Sequence, residues 1–141
     1  MMWDRWERLR KADTVERYIV TKSPDRPSPE AIVEALRSDG HGVDIAGDVF
    51  ERATSFCFEL TVAGGAWVIV DVSEDFDLAP DLSNGHWEMV IDFVGRDAAQ
   101  EIRRLVCVDA SPDIDVAVVD RIVELLVEAT NGWVVRPNWE A

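Results

Sequence analysis

Basic side chains are missing from the middle of this chain: between Ala53 and Gly95 there is neither lysine nor arginine. Across all 141 residues, 14 Lys and Arg face 28 Asp and Glu, a net charge of −14, and only Lys11 and Lys22 are lysines. An excess of this sign repels nucleic-acid phosphates and anionic lipid headgroups, which argues against direct binding to DNA, RNA or a membrane surface. The preference for arginine over lysine points to coding bias, as in a GC-rich bacterial genome, and carries no mechanism.

Cysteine is scarce as well. Cys57 and Cys107 lie in the apolar stretches "SFCFEL" and "RLVCVD", with no CxxC or Cys/His spacing suited to zinc or to a redox motif, and both read as reduced core residues. Of the two histidines, His41 sits between glycines and His86 follows Gly85 at the start of a candidate strand; neither has the spacing of a metal pair or a nucleophile beside it. No stretch approaches the ~18 to 20 apolar residues of a membrane span. The opening "MMWDRWERLRK" is charged from its fourth residue, so it lacks the apolar centre of a signal peptide, and a cytoplasmic protein is expected. Neither GxGxxG, GxSxG nor a Walker lysine occurs, and "AGGAW" reads as a hairpin turn rather than a phosphate cradle. No cofactor is expected.

What remains is the composition of a folded domain. Apolar residues make up 48% of the chain, and six tryptophans argue against disorder. The length suits one domain with its own core. Charge divides it: residues 1–27 hold seven Lys and Arg against five Asp and Glu, so the acidity belongs to residues 28–141. "SPDRPSP", with three prolines in six residues, separates an N-terminal helix and strand arm (1–27) from an acidic body (28–141).

The pattern predicts these elements in turn. Met2, Trp6 and Leu9 share a short amphipathic helix, and "TVERYIVTK" alternates as a strand. Ser28-Pro29-Glu30 is a cap, a proline and an acid at a helix start, followed by the buried stripe Ile32, Val33, Ala35 and Leu36 and a stop at Gly40 or Gly42. "GVDIAGDVFERA" reads as a strand made irregular at Gly47. "TSFCFELTVAGGAWVIVDV" reads as a hairpin with a three-residue loop, Gly64 to Ala66, setting Val62 against Val68 and Phe58 against Val72. Its second face then carries Glu59, Thr61, Trp67, Ile69 and Asp71. "HWEMVIDFV" adds a strand. A capping box at Asp97 and Gln100 predicts a helix through Val108, and Ser111-Pro112-Asp113 a longer one through Thr130, ended by Asn131-Gly132 before a strand "WVV". The fold class is α+β: a mainly antiparallel sheet of four to six strands, with three to four helices largely on one face.

The candidate site is "DVSEDFDLAPDLSNGHWEMVID", residues 71–92, with seven carboxylates and no base. An EF-hand is excluded: counted from Asp75, the third ligand position is Asp77, but the fifth is Ala79 and the sixth Pro80. No metal site is therefore assigned. A binding surface built from Glu59, Trp67, Asp71, Glu74, Asp75, Asp77, Glu88 and Asp92 offers apolar anchors among charges that steer a basic partner. In charge and size the chain is similar to bacterial immunity proteins and secretion chaperones. The leading expectation is a non-enzymatic module that binds a basic protein, with Trp3 and Trp6 as a candidate homodimer contact. The alternative is a carboxylate-dependent enzyme or divalent-metal binder using Glu59, Asp71, Glu88 and Asp92, whose acids would have raised pKa values.

Overall fold

The computed structural model describes residues 14–23, 25–51, 55–73, 95–99 and 101–135. In chain order the elements are β1 (Val15–Thr21), α1 (Pro29–Ser38), β2 (Val43–Glu51), β3 (Ser55–Val62), β4 (Ala66–Ser73), α2 (Arg96–Ala99), β5 (Arg104–Ala110), α3 (Val116–Thr130) and β6 (Trp133–Val135). The strands form one six-stranded sheet in the order β2-β3-β4-β5-β1-β6, and every neighbouring pair is antiparallel. The domain is α+β, with α1 and α3 packed on the sheet. The N-terminal arm supplies an interior strand: β1 pairs with β5 on one side and β6 on the other.

Alternation decides what each face holds. Phe56, Phe58 and Leu60 of β3, Val68, Val70 and Val72 of β4, Val106 and Val108 of β5 and Ile19 of β1 point to the first face. There they meet Ile32, Val33 and Leu36 of α1 and Val118, Val119, Ile122 and Leu126 of α3 in one continuous core. Burying such side chains is the dominant favourable contribution to folding.

Local chemistry explains the helix ends. The Ser28 hydroxyl accepts a hydrogen bond from the Ala31 N–H at 3.2 Å, Pro29 occupies the first turn, and Asp39 closes α1. Asn131 ends α3 at φ 53°, a left-handed conformation that asparagine tolerates. Beside it Gly132 is required by space, because a Cβ there would lie 2.6 Å from the Val20 carbonyl oxygen. The Thr21 hydroxyl, fully buried, donates to the Thr130 carbonyl at 2.6 Å and ties β1 to the end of α3.

Three sequence expectations are corrected. Residues 97–108 are not one helix: only Arg96–Ala99 is helical, and Arg104–Ala110 is strand β5. Ile102, Leu105 and Val106 fit a helical stripe, yet the same run alternates Leu105, Cys107, Asp109 against Val106, Val108, Ala110, and its valines pack well between two neighbouring strands. The second helix does not start at Ser111. That residue exchanges hydrogen bonds with Trp67, its N–H donating to the Trp67 carbonyl at 2.9 Å and its hydroxyl accepting from the Trp67 N–H at 3.0 Å. Asp115 caps α3 instead, accepting from the Ala117 N–H at 3.0 Å.

The third correction is register. The β3–β4 loop is Ala63-Gly64-Gly65, both glycines at positive φ, so Val62 pairs with Ala66 and Phe58 with Val70. A slip of two residues leaves every side chain on its expected face. The irregularity at Gly47 is present: φ there is 65°, and the β2–β3 register shifts between Ala46 and Phe50. The expected helix over residues 2–12 and the expected strand over residues 86–94 lie outside the described residues.

Candidate functional site

The second sheet face is where charge meets burial. Register sets two adjacent rows across it. In one, Cys57, Asp71, Cys107 and Tyr18 stand side by side on β3, β4, β5 and β1; in the next stand Glu59, Ile69, Asp109 and Glu16. Thr61 and Trp67 form the start of a third row toward the hairpin end. Each of these residues is there because its strand alternates: a shift by one residue would put the carboxylates into the core beneath α1 and α3.

This face is not a uniformly solvated surface. Tyr18, Val20, Cys57, Ile69 and Leu105 are buried on it, while Glu16, Glu59, Trp67, Asp71, Cys107 and Asp109 are half-buried. The carboxylates therefore sit in partly desolvated ground. Burial raises the pKa of Asp71 above the ordinary aspartate range. Asp109 is pushed up to about 7, first by burial and then by the charges of Glu16 and Asp71. Burial, followed by Asp71, Asp109 and Glu16, also drives the Cys107 thiol well above its usual value, so this cysteine is a poor nucleophile at neutral pH. Tyr18 is held firmly protonated by burial, and its hydroxyl donates to Glu16 Oε2 at 2.9 Å.

Among the described residues, no lysine or arginine forms an ion pair with Asp71 or Asp109. The ion pairs between described residues, such as Arg121–Asp39 at 2.7 Å and Lys22–Glu101 at 2.6 Å, do not involve Asp71 or Asp109. Nor do three His, Cys, Asp or Glu side chains converge as metal ligands among the described residues. Cys57 and Cys107 are both free thiols.

Of the sequence-level site, Glu59, Trp67 and Asp71 fall on this one face, as the hairpin pattern requires. Glu74, Asp75, Asp77, Glu88 and Asp92 lie outside the described residues, as do Trp3 and Trp6. Asp109, Glu16, Tyr18 and Cys107 join the site although sequence reasoning did not place them there. Reading residues 97–108 as a helix hid Asp109 and Cys107, and the strict alternation of "RLVCVDA" is the signal that would have revealed them. Glu16 was legible as a strand residue, but nothing local shows that β1 pairs with β5.

The sequence matches no protein-family model, no curated protein and no solved structure. Any functional reading therefore stands on the site's own chemistry. No described helix is long and apolar enough to cross a membrane.

Proposed function

We propose that the protein is a non-enzymatic binding module whose acidic surface engages a basic protein partner, in the manner of an immunity-type inhibitor or a chaperone. The observation that carries this reading is the partly desolvated pair Asp71 and Asp109, which no described base neutralises. Carboxylates held in that state are costly, and a lysine or arginine delivered by a partner would offset the cost through charge-assisted hydrogen bonds. Glu59 and the half-buried Trp67 on the same face add a third acid and an aromatic anchor. With no lysine or arginine between residues 53 and 95, the negative charge of that stretch extends the attractive field and favours fast, salt-sensitive association.

The test is capture of a basic protein from the source cell's lysate, followed by titration of the purified partner against the parent chain and the Glu59→Gln/Asp71→Asn double variant. The expected result is affinity that falls with salt and drops at least tenfold in the double variant while its Tm is retained. Equal affinity for both chains would remove this face from the interface.

A second reading is favoured by one specific observation. Asp109 near pKa 7, beside Glu16 and Asp71, is a carboxyl with the proton affinity of a general acid at neutral pH. A turnover abolished by Asp109→Asn with no loss of stability would establish that enzyme reading in place of the binding one.

A further inference from the structure

Among the described residues the sheet ends at β6 on one side and at β2 on the other, and the two sides of β2 differ. The Gly42 carbonyl accepts from the Ala63 N–H at 2.8 Å, so antiparallel alternation aims the main-chain groups of Asp44 and Ala46 at β3 and those of Val43 and Ile45 outward. The Val43 carbonyl is taken by Arg37 Nε at 3.0 Å, which confirms its direction. Among the described residues, the outward N–H of Ile45 donates to no acceptor and its C=O accepts from no donor. The strand is reachable: Asp44, Gly47, Asp48 and Glu51 are exposed, and Ile45, Ala46, Val49 and Phe50 are half-buried.

Beside this edge runs an open cleft of about 560 Å³ between α1 and β2, with Val33 and Ile45 as apolar lining and Glu30 and Glu34 as its acids. A second cleft of about 340 Å³ continues it past Glu30 to Val49, Glu51 and Phe56. Val33, Ile45 and Val49 belong to the core's flank, so the cleft floor is preformed. Among the described residues Arg37 and Arg26 are the cations nearby, and each is engaged, Arg37 by Asp44 and Arg26 by Glu51 at 3.6 Å and the Phe56 ring at 5.4 Å.

We propose that the outer edge of β2, which pairs with no described strand, receives, together with the α1–β2 cleft, an extended basic segment of a partner protein as an added strand. Main-chain hydrogen bonds to the outward groups of β2 would supply affinity, and alternate side chains would select the sequence. Residues on one face of the added strand enter the cleft over Val33 and Ile45. Lysines or arginines flanking them meet Glu30, Glu34 and Asp48. The acids also decide against a second copy of this chain, because two β2 edges would bring like charges together. This inference rests on the reading of the protein as a binder of basic partners, but it uses a surface separate from the Glu59, Trp67 and Asp71 face.

The experiment uses a nine-residue peptide of alternating lysine and valine, titrated into the full chain labelled with ¹⁵N, with an analogue N-methylated at alternate residues as control. The expected result is a saturable amide shift and slowed hydrogen exchange centred on Ile45, absent with the methylated analogue and weakened several-fold in Glu30→Gln/Glu34→Gln. Methylation changes only the probe, so folding of a variant does not enter that arm. Equal binding of the two peptides, or no saturable shift on β2, would overturn the added strand. Shifts confined to the face of Glu59 and Asp71, and lost in Glu59→Gln/Asp71→Asn, would overturn it while leaving the acidic-module reading intact. Binding to neither surface would count against both.

Discussion

Asp109 shows how much one residue's setting can do. On an exposed strand it would be an ordinary aspartate; here burial and the neighbouring Glu16 and Asp71 lift it to about 7. Because its folded pKa lies above the unfolded one, its contribution to stability is fully present below about pH 4 and is lost as pH rises through 7. Asp71, raised in the same direction by burial, adds to that slope. The lost stabilisation amounts to at most about 4 kcal/mol for a shift of this size. Asp109→Asn is expected to raise Tm at pH 8 and to leave it nearly unchanged at pH 4, read from thermal melts across that range. A difference independent of pH would show that the substitution acts through packing instead. None of this is visible locally in "CVDA", since the neighbours that raise Asp109 come from strands β1 and β4.

Elements differ in how far their own residues specify them. The helix α1 begins and ends where its sequence says, because Ser28, Pro29 and the glycine after Asp39 act within one turn of their own positions. For α3 the local signal was duplicated: Ser111 and Asp115 are both good caps, and the choice fell to Asp115 because Ser111 is engaged by Trp67. Asp115→Ala is accordingly expected to destabilise the fold by about 1 kcal/mol through the loss of its cap. Ser111→Ala is expected to cost at least as much, by leaving the half-buried main-chain N–H of Trp67 without its acceptor. Urea denaturation of the two variants checks the pair; an unaffected Ser111→Ala would contradict the bridging role. The β5 segment shows the limit in another way. Its apolar residues satisfy helical and strand periods alike, and only the vacancy between β4 and β1 selects the strand.

For the whole molecule, charge is the dominant feature left over after packing. The core is complete on the first face, but 28 acids against 14 bases leave a self-repulsion that the native state confines to a smaller volume than the unfolded chain does. Added salt screens it over roughly 8 Å at physiological ionic strength. Tm is expected to rise by several degrees between low and moderate sodium chloride, measured by calorimetry. A fall in Tm would mean that the surface ion pairs, such as Arg121–Asp39, outweigh the net repulsion. The same charge gives the two proposed binding surfaces their common preference for a basic partner, while their geometry separates them: one is a sheet face, the other a strand edge.

By itself the sequence determined the α+β class, the β3–β4 hairpin with its two faces, the irregularity at Gly47, the cap of α1 and the end of α3 at Asn131-Gly132. These follow from alternation, glycine freedom and hydroxyl capping, which act over a few residues and need no distant partner. Only the tertiary structure decided that residues 104–110 are a strand, that β1 lies inside the sheet and that Glu16, Asp71 and Asp109 share one partly desolvated face. Those outcomes depend on which strands become neighbours, and strand pairing is settled by the packing of the whole chain rather than by any single stretch of it.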